Sequence, residues 1–145
     1  MNIDVVDKGM TLTVFGFEGI AFNQDYAREA FRLSDLVWRV VKERELKNKG
    51  KNIWVYEHSD KVFAGVELID SPAGDAGMIE KRIDLPRHAY HKHVGPYHMI
   101  RAAGQNMKDE LRQRGFETCL PYIEIYGHWT SDESKLETEL IMSLK

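Results

Sequence analysis

The sequence predicts an α+β fold in which a strand-strand-helix-strand-strand unit occurs twice, giving one antiparallel sheet with two helices on one face and a ligand groove between the halves. Three observations predict it. Two long segments repeat apolar residues at spacings of three and four, the signature of amphipathic helices. The remaining apolar segments are short and alternate with period two, as half-buried strands do. Finally, helix and strand segments follow one another in the same order in each half, which points to a duplicated unit.

In chain order, residues 2–6 and 11–17 alternate as strands. Asn23-Gln24-Asp25 then offers a capping side chain and an acid in the first turn. After it Tyr26, Ala30, Leu33, Val37 and Val40 keep helical spacing, and Lys47-Asn48-Lys49-Gly50 reads as the stop. Strands are expected over 52–56 and 62–68, and the turn-rich stretch 70–76 separates repeat one, about 1–69, from repeat two, about 77–145. Repeat two opens with strands over 78–85 and 88–94. Gly95-Pro96 announces its helix, since proline suits the first helical position; Tyr97, Ile100, Gly104, Met107 and Leu111 carry the helix to Arg114-Gly115. Strands over 122–126 and 137–144 complete it. The repetition reaches individual residues: Ile53-Trp54-Val55-Tyr56-Glu57-His58 reappears as Ile123-Glu124-Ile125-Tyr126-Gly127-His128, and Val66-Glu67-Leu68 anticipates Thr138-Glu139-Leu140.

At 145 residues the chain is the size of one domain with a substantial core, and 43% hydrophobic residues keep it out of the disordered range. A net charge of -3, with both signs interspersed, argues against binding nucleic acid. No apolar run is long enough for a membrane helix and no leader is evident, so the expectation is a cytoplasmic protein without membrane association. Cys119 is the only cysteine, which rules out an internal disulfide and a thiolate metal cluster. His88, His91 and His93 fall close together, but only His91 and His93 share a strand face and no carboxylate completes a ligand set, so no metal and no cofactor are expected.

Strand alternation places Ile53, Val55, Ile123 and Ile125 on one face, expected under the helices, and Trp54, Tyr56, Glu124 and Tyr126 together on the other. An aromatic wall with a carboxylate suits flat apolar molecules and delocalised cations, because ring faces attract positive charge. With Trp54 and Glu124 at equivalent positions of the repeats, the two are expected to oppose one another across the groove. Glu67 and Glu139, near the end of each repeat's last strand, are the weaker carboxylate candidates.

The second half carries a family resemblance. Tyr90-His91-Lys92-His93-Val94-Gly95-Pro96-Tyr97, then Arg114-Gly115, Pro121-Tyr122-Ile123-Glu124-Ile125-Tyr126 and Thr138-Glu139-Leu140-Ile141-Met142 together resemble the GyrI-like small-molecule-binding family, which includes effector-binding domains of multidrug-sensing transcription regulators. Ser143 stands where the family usually has a proline. The resemblance implies a ligand in the cleft between two repeats, with Glu124 as the ligand-facing glutamate and Trp54, Tyr56 and Tyr126 as aromatic lining. Because the two repeats take up the whole length, a stand-alone domain without a helix-turn-helix is expected. Some stand-alone members of the family, which this chain resembles, hydrolyse the strained cyclopropane of DNA-alkylating natural products. By that resemblance Glu124 or Glu67 orients or deprotonates the water, and Tyr126 or Tyr56 hydrogen-bonds the developing oxyanion. The competing functions are a non-catalytic drug binder or effector sensor, and a protein that binds and inhibits DNA gyrase.

Overall fold

A computed structural model describes residues 1–70 and 77–145, so all of the expected linker 70–76 except Asp70 lies outside the described residues. The chain forms strands β1 (Asp4–Val6) and β2 (Met10–Ile20), helix α1 (Tyr26–Glu43), and strands β3 (Asn52–Tyr56) and β4 (Lys61–Val66). It then repeats the order with β5 (Ile79–Leu85), β6 (His88–Val94), α2 (Ile100–Gln113), β7 (Thr118–Tyr126) and β8 (Glu137–Leu144). All eight strands join one antiparallel sheet in the order β1-β6-β8-β7-β3-β4-β2-β5.

That order is symmetric. Exchanging each strand for its counterpart in the other repeat returns the same order read backwards, so a pseudo-twofold axis passes between β3 and β7. The register locates the axis more closely: Trp54 pairs directly with Glu124, while Ile53 pairs with Ile125 and Val55 with Ile123. Trp54 and Glu124 occupy equivalent positions of the two repeats and are also cross-strand neighbours, so they sit side by side on the axis rather than facing each other across a gap.

Each helix covers its own half of the sheet. Asp25 caps α1, its carboxylate accepting a hydrogen bond from the Arg28 backbone N–H at 3.2 Å. Ala30, Leu33, Val37 and Val41 of α1 are buried against Val62, Ala64, Val66 and Phe17. Ile100, Ala103, Met107 and Leu111 of α2 pack on Ala89, Leu140, Met142 and Leu144. Two helix ends differ from expectation. α1 stops at Glu43, before the polar stretch, because Glu45 turns left-handed (φ 51°) and the Leu46 N–H reaches back to the Val41 carbonyl at 3.0 Å, a Schellman-type closure. Pro96 leads not directly into α2 but into a 3₁₀ turn, Tyr97–Met99, matching the 3₁₀ turn Phe22–Gln24 ahead of α1.

The expectation that Ile53, Val55, Ile123 and Ile125 lie under the helices is corrected. Those residues face the opposite side, in a cluster with Leu12, Val14, Phe63, Ile83, Leu85 and Ile141 contributed by strands from both repeats. The sheet curls to bury that aliphatic face on itself, so it needs no helix to cover it. Gly16 and Gly65, paired across β2 and β4, permit the curl: a Cβ at Gly16 would lie 1.9 Å from the Ala64 carbonyl oxygen. Alternation sorts residues into two faces but does not say which face the helices take. Here they take the face bearing Trp54, Tyr56, Glu124 and Tyr126, and because α1 and α2 sit to either side, β3 and β7 are left uncovered between them.

Candidate ligand groove

The uncovered strip is the floor of a groove of about 690 Å³ between the helices. Residues of the α1 N-terminus form one wall, Tyr97 and the α2 residues Arg101, Gly104, Gln105 and Lys108 form the other, and Trp54, Tyr56, Tyr122, Glu124 and Tyr126 rise from the floor. Glu124 is only 8% exposed. Three tyrosine hydroxyls donate to its carboxylate: Tyr56 to Oε1 at 3.1 Å, Tyr126 to Oε1 at 2.9 Å and Tyr122 to Oε2 at 2.8 Å. Tyr56 and Tyr126 are equivalent in the repeats, which is why they approach Glu124 from both sides of the axis. Tyr122 is the counterpart of Asn52 and has no aromatic twin.

Rings complete the floor. Trp54 lies against Tyr126 with centroids 4.6 Å apart and receives the edge of Phe31 at 5.0 Å. Tyr56 stacks on Tyr122 at 5.7 Å, Tyr26 meets Tyr56 edge-on at 6.0 Å, and Tyr97 meets Tyr126 likewise at 5.5 Å. The Trp54 indole N–H finds no hydrogen-bond partner among the described residues. Burial, and after it the charge of Glu124, pushes the hydroxyls of Tyr56, Tyr122 and Tyr126 far above the ordinary tyrosine range, so all three remain donors throughout the physiological range.

The site holds a carboxylate with no ion-pair partner of its own. Among the described residues no Lys or Arg pairs with Glu124, and its compensation comes entirely from neutral hydroxyls and rings. A carboxylate has about four lone-pair positions, and three are used. One remains on Oε2, open to a donor from a ligand or a water.

Of the residues singled out by sequence, Trp54, Tyr56, Glu124 and Tyr126 come together in the groove. Glu67 does not, because β4 ends at Val66 and the Glu67 side chain pairs with Lys49 at 3.2 Å, away from the lining. Glu139 sits on the opposite sheet face, accepting from the Tyr90 hydroxyl at 2.6 Å. Sequence reasoning missed Tyr122 as a site residue although it shares the alternation of Glu124 and Tyr126, and missed Tyr26, the first residue of α1, and Tyr97, in the 3₁₀ turn ahead of α2, which also line the groove. Among the described residues no three His, Cys, Asp or Glu side chains gather as metal ligands; His91 Nδ1 lies 2.6 Å from the Asn2 carbonyl and His93 Nε2 3.3 Å from that of Pro96. No described helix is long and apolar enough to cross a membrane.

No family model and no curated protein matches the sequence. Solved structures do match in shape. The C-terminal domain of EcmrR superposes with a TM-score of 0.74 at 17% identity, covering 100% of this chain and 99% of that one. SAV2435 bound to tetraphenylphosphonium superposes with a TM-score of 0.66 at 18% identity, over 100% of this chain and 94% of that one. The chain has the fold of these two proteins. A hydrolase from Listeria innocua shares it, with a TM-score of 0.60 at 11% identity over 99% of this chain and 91% of that one. The chain spans 57% of the EcmrR chain seen in a complex with DNA.

Proposed function

We propose that this protein captures aromatic, lipophilic cations in the groove between its repeats, with Glu124 as the counter-charge and Trp54, Tyr56 and Tyr126 as the enclosing rings. The observation that carries the reading is Glu124 itself: a carboxylate 8% exposed, on the floor of an open groove, satisfied only by neutral hydroxyls. Holding a charge there is costly, and a ligand cation recovers that cost on binding. The rings add cation–π attraction, up to about 2 kcal/mol for a desolvated contact. The neighbour of the same fold that holds tetraphenylphosphonium supports the same chemistry.

A second reading is hydrolysis of cyclopropane-bearing DNA-alkylating compounds, supported by the open lone pair on Glu124 Oε2 and by the hydrolase of the same fold. In that reaction a water oxygen bonds to the strained carbon as the ring C–C bond breaks toward a conjugated carbonyl. Glu124 takes the water proton and returns it to the resulting enolate, and Tyr126 or Tyr56 donates to the developing oxyanion.

Calorimetric titration with tetraphenylphosphonium and with neutral triphenylphosphine oxide, on wild type and Glu124→Gln, tests the first reading. Loss of the carboxylate is expected to weaken the cation by about tenfold or more, roughly 1.4 kcal/mol, and to leave the neutral compound nearly unchanged. Equal cation affinity in both proteins would refute the assignment of Glu124. Incubation with a cyclopropane-bearing alkylator, followed by mass analysis, separates the readings: a product heavier by one water, formed about a hundredfold more slowly by Glu124→Gln, establishes turnover.

A further inference from the structure

The α2 wall carries two cations that nothing else in the protein uses. Arg101 and Lys108 line the groove on the same helix stripe as Gly104 and Gln105, and neither makes an ion pair or a side-chain hydrogen bond among the described residues. Arg32 pairs with Glu29 at 2.7 Å, Arg112 with Asp109 at 3.7 Å and Arg114 with Glu110 at 2.6 Å; Arg28, Arg39 and Lys42 of α1 make no ion pair among the described residues, but they do not line the groove, as Arg101 and Lys108 do. The acids lining the groove are engaged as well, Asp25 in capping α1 and Glu57 in an ion pair with Lys81 at 2.5 Å. The groove is therefore polarised, with an unpaired carboxylate on its floor and unpaired cations on one wall.

The spacing suits a single ligand that meets both. Two helical turns put Arg101 and Lys108 about 10 Å apart along α2. Between them the wall is bare at Gly104, where an added Cβ would approach the Tyr122 hydroxyl to 3.7 Å, directly above the donor to Glu124. Gly104 and Gln105 lie between the two cations, and the bare Gly104 brings this part of the wall next to the Tyr122 hydroxyl that donates to Glu124. Arginine adds a planar fork matched to carboxylates and similar anions.

We propose that the groove prefers zwitterions: aromatic cations that also carry an anionic group, the cationic part over Glu124 and the anion between Arg101 and Lys108. This rests on the cation-binding reading and extends it to a ligand class. The two ends of the ligand differ in their response to salt. Arg101 and Lys108 are exposed, so their contribution is screened as ionic strength rises, whereas that of the buried Glu124 is screened much less.

The test compares pentyltriphenylphosphonium with carboxybutyltriphenylphosphonium, matched in size and differing in one carboxylate, by calorimetry at low and high salt. Wild type is expected to bind the carboxylate probe about five- to tenfold more tightly at low salt and to lose that preference at about 1 M salt. In an Arg101→Gln/Lys108→Gln double variant the preference disappears at low salt while the pentyl probe binds at least as well as before. Glu124→Gln weakens both probes and keeps their ratio. Equal affinities for the two probes in wild type, or a preference that survives the double variant, overturns the zwitterion proposal alone. Failure of wild type to bind the pentyl probe overturns the cation reading and this proposal with it.

Discussion

Position 54 and position 124 are one position of the fold, filled once by tryptophan and once by glutamate. Because the pseudo-twofold axis runs through this pair, the duplicated scaffold gives a floor that is symmetric in backbone and asymmetric in chemistry, a ring beside a charge. Strand alternation was enough to gather Trp54, Tyr56, Glu124 and Tyr126 on one face, so these residues were legible in the sequence. Tyr122 shares that alternation, two residues before Glu124 on β7, and was equally legible, but with Asn52 as its counterpart it has no aromatic twin in the first repeat to draw attention to it. Its removal makes a signed prediction. Tyr122→Phe leaves Glu124 Oε2 without its donor at 2.8 Å, which should lower stability by about 1–3 kcal/mol in urea unfolding. The same variant should bind tetraphenylphosphonium more tightly, since a less satisfied carboxylate gains more from a cation. Weaker cation binding by a stable Tyr122→Phe protein would instead make the hydroxyl a direct ligand contact.

At the scale of elements, helix spacing and strand period were readable, while ends and faces depended on contacts between distant segments. The aliphatic strip Ile53, Val55, Ile123 and Ile125 looks like a helix seat, yet the curl of the sheet buries it. Nothing local in those strands announces the curl; its sign is in Gly16 and Gly65, whose missing side chains let β2 and β4 approach. This gives a graded prediction for two glycines. Gly16→Ala places a Cβ 1.9 Å from the Ala64 carbonyl oxygen and must displace backbone, so it should cost about 3 kcal/mol or more and lower Tm by roughly 10 °C. Gly115→Ala meets nothing within 4 Å and pays only for its positive φ of 87°, about 1 kcal/mol. Thermal unfolding ranks the two, and equal losses would show that the β2–β4 approach is not what shapes the sheet.

At the scale of the molecule, the groove belongs to neither repeat: one supplies Trp54 and Tyr56, the other Tyr122, Glu124 and Tyr126, so the site exists only when both halves are docked. That coupling makes folding and site chemistry answer to the same tyrosines. The hydroxyls of Tyr56, Tyr122 and Tyr126 are held well above the ordinary 10.0, by burial first and the Glu124 charge second. In the unfolded chain they lose their protons near the ordinary value; in the folded protein they keep them. Above about pH 10 the folded state therefore binds more protons than the unfolded one, and stability falls as pH rises. Their contribution is complete below pH 10 and is lost progressively above it. Three such groups contribute a slope of about 4 kcal/mol per pH unit, to which Tyr90, likewise raised by burial and Glu139, adds, against a total stability of about 5–15 kcal/mol for a typical domain. Unfolding is thus expected within roughly one to four pH units above 10, with tyrosinate absorbance from these three appearing together with the loss of helical circular dichroism. Replacing Tyr56 and Tyr126 by Phe should lower the slope by about 2.7 kcal/mol per pH unit in urea titrations at successive pH values, leaving the part due to Tyr122 and to Tyr90, which burial and Glu139 also hold high. Tyrosinate from all three groove residues in a still-folded protein, or a slope indifferent to the replacements, would separate the groove from the stability of the fold.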